Sequence, residues 1–388
     1  MRFEFATATR IVFGPGTISE AASLSTEMGK RAFVITGSTI KRAEPLLEHL
    51  GKQDDDYVTF NVSGEPTTTV AAEAVQVARH AKCDLVISIG GGSVLDTGKV
   101  VAAMLTNSGQ LEDYLEVVGA GKPLATIAAP HIAIPTTAGT GAEVTRNAVL
   151  SVLEHRVKVS MRSPFMLPRL AVVDPVLTHS MPPSVTASTG LDALTQLLEV
   201  YVSGQANPLT DGICRQGLGR AGRSLRRAYE NGNDHEARED MALASLFSGL
   251  GLANAKLGAV HGFAGPLGGM YSAPHGVICA RLLPFVIEAN VQALRQHDPT
   301  SPALAKYDEA ARLLTGNDSA KAADAVTWVQ ELCLVLKVPS LARFGLKKQD
   351  FETIAAKAKK SSSMKGNPVE LTDDELLNII RRANADTP

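Results

Sequence analysis

Aromatic residues are scarce in this chain, at 5% with a single tryptophan, and charge of either sign is in no excess, with a net of −2. A protein that neutralises a nucleic-acid backbone needs surplus cations, so nucleic acid is excluded as a partner. Cysteine is rare too. The four (Cys83, Cys214, Cys279, Cys333) are scattered, form no C-x-x-C pair and lie in apolar stretches. They read as buried free thiols rather than a disulfide framework or a zinc ribbon. Long apolar runs are lacking: no window is expected to reach the ~18–20 apolar residues of a membrane span. The N-terminus, MRFEFATATRIVFG, carries acidic Glu4 early and has no signal-like apolar core. These features predict a cytoplasmic protein with no membrane association. What is present is 45% apolar residues over 388 positions, enough for two folded domains.

The first half alternates two textures. Residues 2–5 and 11–13 resemble short strands. Arg31–Thr36 is a β-rich run ending at Gly37-Ser38, followed by a helical stretch to about residue 52. Tyr57–Val62 predicts a further strand, Thr68–Ala81 a helix, and Asp84–Ile89 a strand apolar enough to be buried on both faces. His131–Pro135 and Ala171–Val173 continue the series. Strands separated by helices imply parallel pairing with crossovers. Past Pro182-Pro183 the chain becomes rich in Ala, Leu, Glu and Arg and reads as successive helices. The expected organisation is an α/β dinucleotide-binding domain over residues 1–182 and an all-α metal- and substrate-binding domain over 183–388. A cleft between two such domains is the default place for a ligand.

Two loops carry chemistry. Gly90-Gly91-Gly92-Ser93 follows the apolar strand and opens a helix through Asp96. Glycines admit a phosphate close to the backbone, and a helix N-terminus offers unpaired N–H groups and a positive dipole end. No G-x-G-x-x-G is present, and five residues between Gly92 and Gly98-Lys99 break the P-loop spacing. The competing reading is a sharp βα turn. The second loop, Ile134 to Glu143, sets Thr136, Thr137 and Thr140 beside glycines, at the end of one strand and the entrance of an expected helix. Hydroxyls there serve ribose and phosphate oxygens, or merely cap the helix.

In the helical half, Ser188–Gln196 has the texture of a capped helix start, with Asp192 and Gln196 four apart on one face. His261 and His275 follow, fourteen positions apart in a glycine-rich apolar context. Each has a plain structural alternative: Asp192 as a dipole complement, His275 as a turn residue after Pro274, His261 as a core histidine.

Taken together, GGGSVLDTGK (90–99), PTTAGTGAEVTRNA (135–148), GLDALTQLLE (190–199) and GAVHGFAGPLGGMYSAPHG (258–276) resemble, in order and spacing, the iron-containing (group III) alcohol dehydrogenases. The resemblance spans nearly the whole chain. It implies the two-domain fold shared with dehydroquinate synthase and a divalent metal between the domains. It also implies hydride transfer between an alcohol and an aldehyde or ketone with NAD or NADP. The family's metal ligands map onto Asp192, Gln196, His261 and His275, with Asp192 and the two histidines as catalytic candidates. Gln196 replaces a histidine, and Gly265 replaces a histidine implicated in proton transfer. Asp192, His261 and His275 still form a two-histidine, one-carboxylate set suited to Fe(II) or Zn(II).

The resemblance places Gly37, Ser38, Gly90, Gly91, Gly92, Ser93, Asp96, Thr136, Thr137, Thr140 and Lys158 around the nucleotide. NAD-preferring relatives usually carry an aspartate at the position of Gly37. Its loss, with Ser38, Thr39, Lys41 and Arg42 nearby, leans toward NADP, with NAD as the alternative. A homodimer and a small alcohol or aldehyde substrate are further expectations. Three rivals remain open: a metal-free enzyme similar to maleylacetate reductases, a dehydroquinate synthase-like lyase, and a relative that has lost catalysis.

Overall fold

The computed structural model describes residues 2–52, 56–155 and 157–385. The chain forms two compact units, residues 6–137 with 141–180, and residues 1–5 and 138–140 with 181–388.

The first unit runs β1 (Arg10–Phe13), α1 (Ile18–Ser25), β2 (Arg31–Gly37), α2 (Glu44–Lys52), β3 (Asp56–Val62), α3 (Thr68–His80), β4 (Leu85–Gly90), α4 (Gly92–Thr106), β5 (His131–Pro135), β6 (Asn147–Val152), β7 (Val157–Arg162) and β8 (Leu170–Val173). Six strands form one parallel sheet in the order β1-β8-β5-β4-β2-β3. Every residue of β4, β5 and β8 is buried, as expected of central parallel strands covered on both faces. Successive side chains of β2 point to opposite faces, and each face has its own apolar cluster. Phe33 and Ile35 join α3 and α4 residues such as Ala74, Val100 and Met104. Ala32 and Val34 join Ala21 and Ala22 of α1 and Leu46 and Leu50 of α2. The strand order reverses between β2 and β4, whose carboxyl ends pair at Thr36 and Ile89. That reversal is where open α/β sheets receive ligands.

Several expectations are corrected here. Residues 2–5 form no strand. The loop after β5 enters no α-helix. Gly141 takes a left-handed conformation, a single 3-10 turn spans Ala142–Val144, and the chain then makes an antiparallel hairpin of β6 and β7. The hairpin went unread although Ala148, Leu150 and Val152 alternate inward along β6, because that short alternation follows directly on the nucleotide-loop motif, which ends at Ala148. The short helix α1 was also missed.

The second unit contains α5 (Pro183–Val202), α6 (Pro208–Glu230), α7 (His235–Asn254), α8 (Ala259–Met270), α9 (His275–His297), α10 (Pro302–Thr315), α11 (Ala322–Val335), α12 (Phe351–Lys360) and α13 (Asp373–Asn384). Proline opens α5, α6 and α10, where its missing N–H costs nothing. Ser188–Gln196 is therefore mid-helix rather than a capped start, and Thr189 bonds back to the Val185 carbonyl. Every residue from Gly190 to Val202 is buried, so α5 is a central helix. A Cβ on Gly190 would lie 2.2 Å from Leu225 Cδ1, so glycine is what lets α6 close onto α5. Helix α9 is long and apolar enough to cross a membrane, contrary to the reading that no such window exists, but 78% of that window is buried in the protein. It is apolar because α5, α8, α11 and α13 surround it.

Helix α4 lies so close to the sheet that a Cβ on Gly98 would stand 1.8 Å from Ser88 Oγ and 2.8 Å from His131 Nε2. Those two side chains bond each other at 2.9 Å, and burial, aided by Lys99, lowers the His131 imidazole to about 3, so it is neutral. Gly98→Ala gains helix propensity of about 1 kcal/mol but must separate helix from sheet, an overpacking cost of about 1–3 kcal/mol. A lower urea midpoint for Gly98→Ala is expected; an unchanged or raised midpoint would show that the contact yields freely.

Candidate metal centre and nucleotide loops

Three helices of the second unit bring together residues distant in sequence. Asp192 sits in the middle of α5 and is buried; His261 lies in the first turn of α8; His275 is the first residue of α9, set there by Pro274 before it. Gly276 permits this approach, since a Cβ there would lie 1.9 Å from the Ser188 carbonyl oxygen of α5. The Nε2 atoms of His261 and His275 stand 3.4 and 3.7 Å from Asp192 Oδ1. Burial raises the Asp192 carboxyl, but the His275 and His261 imidazoles more than offset it and hold the group below its usual value.

The residues fit a divalent cation on three counts. Asp192 Oδ1 is buried and accepts no hydrogen bond, a costly state for a carboxylate oxygen unless a cation meets it. Both imidazoles turn Nε2 toward that oxygen. Two imidazoles and a carboxylate are also a donor set that Zn(II) and Fe(II) accept. Gln196, one turn from Asp192, is buried, places Nε2 at 3.4 Å from Asp192 Oδ2, and leaves its own Oε1 without a partner. Around Gly265, one turn beyond His261, a Cβ would meet nothing within 4 Å, and glycine itself brings no side chain to the place of the relay histidine.

Sequence reasoning missed two residues. Glu199, two turns along α5 from Asp192, accepts the His261 Nδ1–H at 2.6 Å and the Val260 amide at 2.6 Å. It fixes the tautomer, so that the Nε2 lone pair faces the cluster. The signal was present as the spacing 192, 196, 199 of polar residues on one face of an otherwise apolar helix. The other is Cys279, one turn beyond His275, read only as a buried thiol. It is buried, yet its Sγ lies 3.7 Å from both His261 Nε2 and His275 Nε2.

In the first unit, the candidate nucleotide residues gather at the carboxyl ends of β2, β4 and β5. Gly37 ends β2 and exposed Ser38 follows. Gly91 precedes α4 with no side chain capping it, and a Cβ there would come within 3.4 Å of Thr137. The amide end of α4 therefore faces a loop of glycine and threonine, with Gly92 and Ser93 in its first turn. Gly90 has a packing reason of its own, because a Cβ there would strike Val94 at 2.5 Å. The Thr136 amide donates to the Gly90 carbonyl. Asp96 is turned to structure: its carboxylate accepts from Lys99 Nζ at 3.0 Å and from the Val149 amide at 2.9 Å, tying α4 to the hairpin. Lys158 on β7 pairs with Glu65 at 2.6 Å. Thr140 lies in the segment 138–140 that belongs to the second unit. Of the two cations after β2, Lys41 is exposed, while Arg42 bonds the Ser180 hydroxyl and carbonyl.

If Glu199 orients His261, removing it loosens the metal without removing a ligand. Glu199→Ala is expected to weaken zinc binding by about 10–100-fold in a chelator competition, with Glu199→Gln between it and the parent. Equal affinity in all three would show that α8 alone fixes the imidazole.

Residues 8–175 match the family described as iron-containing alcohol dehydrogenase, and residues 186–384 match the C-terminal domain of the Fe-containing alcohol dehydrogenase family. Alcohol dehydrogenase 4 of Schizosaccharomyces pombe is 35% identical over 378 residues, covering 96% of this chain and 87% of that protein. The NAD-dependent methanol dehydrogenase of Bacillus methanolicus is 31% identical, covering 96% and 97%. Among solved structures, a 1,3-propanediol oxidoreductase superposes with a TM-score of 0.90 at 34% identity, covering 99% of this chain and all of that one. The chain belongs to the iron-containing alcohol dehydrogenase family and is a nicotinamide-linked, metal-containing enzyme that interconverts an alcohol with an aldehyde or ketone.

Proposed function

We propose that Asp192, His261 and His275 hold the catalytic divalent ion, Fe(II) or Zn(II), with Gln196 as at most a weak oxygen donor beside them. The observation that carries this reading is the buried, unpartnered Asp192 Oδ1 with two imidazole Nε2 atoms turned toward it. The substrate is a small alcohol or aldehyde, and the enzyme works as a cytoplasmic homodimer without nucleic-acid or membrane partners.

When bound, the ion supplies Lewis acidity at the substrate oxygen and the nicotinamide ring donates or accepts the hydride. The chain's own residues do the positioning. Asp192 supplies the negative charge that retains the ion, and Glu199 holds His261 in the tautomer that presents Nε2. The amide end of α4, with Gly91, Gly92 and Ser93, seats the diphosphate, and Thr136 and Thr137 lie beside it. Gly265 offers no side chain to carry a proton, so a group other than residue 265 would have to carry it.

For the nucleotide, Gly37 at the end of β2 leaves no carboxylate to repel a 2′-phosphate, and Lys41 is an exposed cation four residues on. This favours NADP over NAD, although Arg42 is engaged with Ser180. The relative named as NAD-dependent keeps NAD as the competitor. The matched family supports the dehydrogenase, and the metal-free reductase, the lyase and the inactive relative draw no support from it.

Two measurements test these assignments. NAD(P)H oxidation against a panel of aldehydes, with metal analysis of the same sample, is expected to show turnover by metal-loaded protein and none by His261→Ala. Undiminished turnover by metal-free His261→Ala would sink the assignment. Gly37→Asp is expected to lower the kcat/KM ratio of NADP to NAD by at least ~10-fold, or about 1.4 kcal/mol. An unmoved ratio would remove Gly37 from the ribose site.

A further inference from the structure

Among the described residues, one group of histidine, cysteine and acidic side chains is arranged to hold a metal, and it has four members: Asp192, His261, His275 and Cys279, with donor atoms all within 4.8 Å of one another. Four of the six edges between those atoms form a closed circuit. Asp192 Oδ1 lies 3.4 Å from His261 Nε2, which lies 3.7 Å from Cys279 Sγ. Sγ in turn lies 3.7 Å from His275 Nε2, which returns to Asp192 Oδ1 at 3.7 Å. Zinc bonds of ~2.0–2.1 Å to nitrogen or oxygen and ~2.3 Å to sulfur put the edges of a tetrahedron at roughly 3.4 and 3.6 Å. The circuit matches those lengths before any ion draws it together.

We propose that Cys279 is a metal ligand in this chain, the fourth beside Asp192, His261 and His275. The inference rests on the assignment of the metal to those three residues. It also accounts for Gln196. The amide that stands where a histidine would coordinate sits with Nε2 toward the second Asp192 oxygen, where it braces the carboxylate. Loss of an imidazole at 196 is then offset by a thiolate at 279, one turn along α9 from His275, and the count of strong donors stays at four. The other three cysteines make an instructive contrast: all are buried, but none joins such a group, and Cys333 only approaches the Ala280 carbonyl. A thiolate is a softer donor than an imidazole, so the site prefers zinc to ferrous iron. With four protein donors, a substrate oxygen would need a fifth position, which zinc permits.

The test uses the full-length enzyme, stripped of metal and reloaded with Co(II). The parent is expected to show tetrahedral cobalt bands in the visible and a thiolate-to-cobalt charge-transfer band in the near ultraviolet. Cys279→Ser should lose the charge-transfer band, keep visible cobalt absorption, and bind zinc more weakly by over ~100-fold, beyond the cost of losing an outer partner. Cobalt bound in the parent without the charge-transfer band overturns the role of Cys279 and leaves the three-residue site standing. Failure of the parent to take up cobalt or zinc overturns both. X-ray absorption of the zinc-loaded parent decides the matter without any variant: a sulfur neighbour near ~2.3 Å is expected, and a shell of nitrogen and oxygen alone refutes the proposal.

Discussion

A carboxylate buried in the middle of an apolar helix is the constraint on which this site turns. Asp192 cannot reach water from the centre of α5, and one of its oxygens has no hydrogen-bond donor in the protein. Such a group is tolerated only where positive charge is held against it. The helical unit turns two imidazole nitrogens toward that oxygen, from His261 at the start of α8 and His275 at the start of α9, an arrangement that would suit a cation. Everything close to the carboxylate then follows as support. Glu199 turns one imidazole, Gln196 braces the second oxygen, and Gly276 lets the end of α9 approach the backbone of α5.

Close approach is the common device of both units. Gly190 lets α6 close on α5, Gly98 lets α4 lie on the sheet over Ser88 and His131, and Gly90 lets the first turn of α4 fold back with Val94 against it. The three glycines at 90–92 therefore do not share one task. Gly90 answers to packing, Gly91 to the narrow space beside Thr137, and the helix amides beyond them are left facing the loop. The same separation applies to Asp96 and Lys158. Both stand near the nucleotide loops in sequence pattern, and both are held by partners within the protein, Lys99 with Val149 in one case and Glu65 in the other.

The departures from the family's residues are best understood as a set. Gln196 stands where the family's pattern has a histidine ligand, and Gly265 where it has a relay histidine, with nothing within 4 Å of a Cβ there. A thiol beside both remaining imidazoles changes the character of the donor group from nitrogen-rich to mixed. Softer donors shift metal preference, and glycine at 265 has no side chain with which to move a proton. On the proposed ligand set, hydride transfer is kept while the means of holding the ion differ.

Much was legible in the sequence by itself. The parallel strands from Arg31 to Val173 were readable because strands buried on both faces appear as unbroken apolar runs, and the helical half because it is rich in Ala, Leu, Glu and Arg past the Pro182-Pro183 boundary. Asp192, His261 and His275 were readable from motif order across both halves of the chain. The β6–β7 hairpin was not, because its alternation is only a few residues long and begins where the nucleotide-loop motif ends. Nor was the membrane-length apolarity of α9, which reflects burial by the neighbouring helices rather than lipid. Only the tertiary structure brought Glu199 and Cys279 to the two imidazoles. A glutamate in a leucine-rich helix and a cysteine among aliphatic residues have no local signature. Their meaning depends on what faces them, and contacts 62 and 18 residues apart along the chain exist only once α5, α8 and α9 have packed.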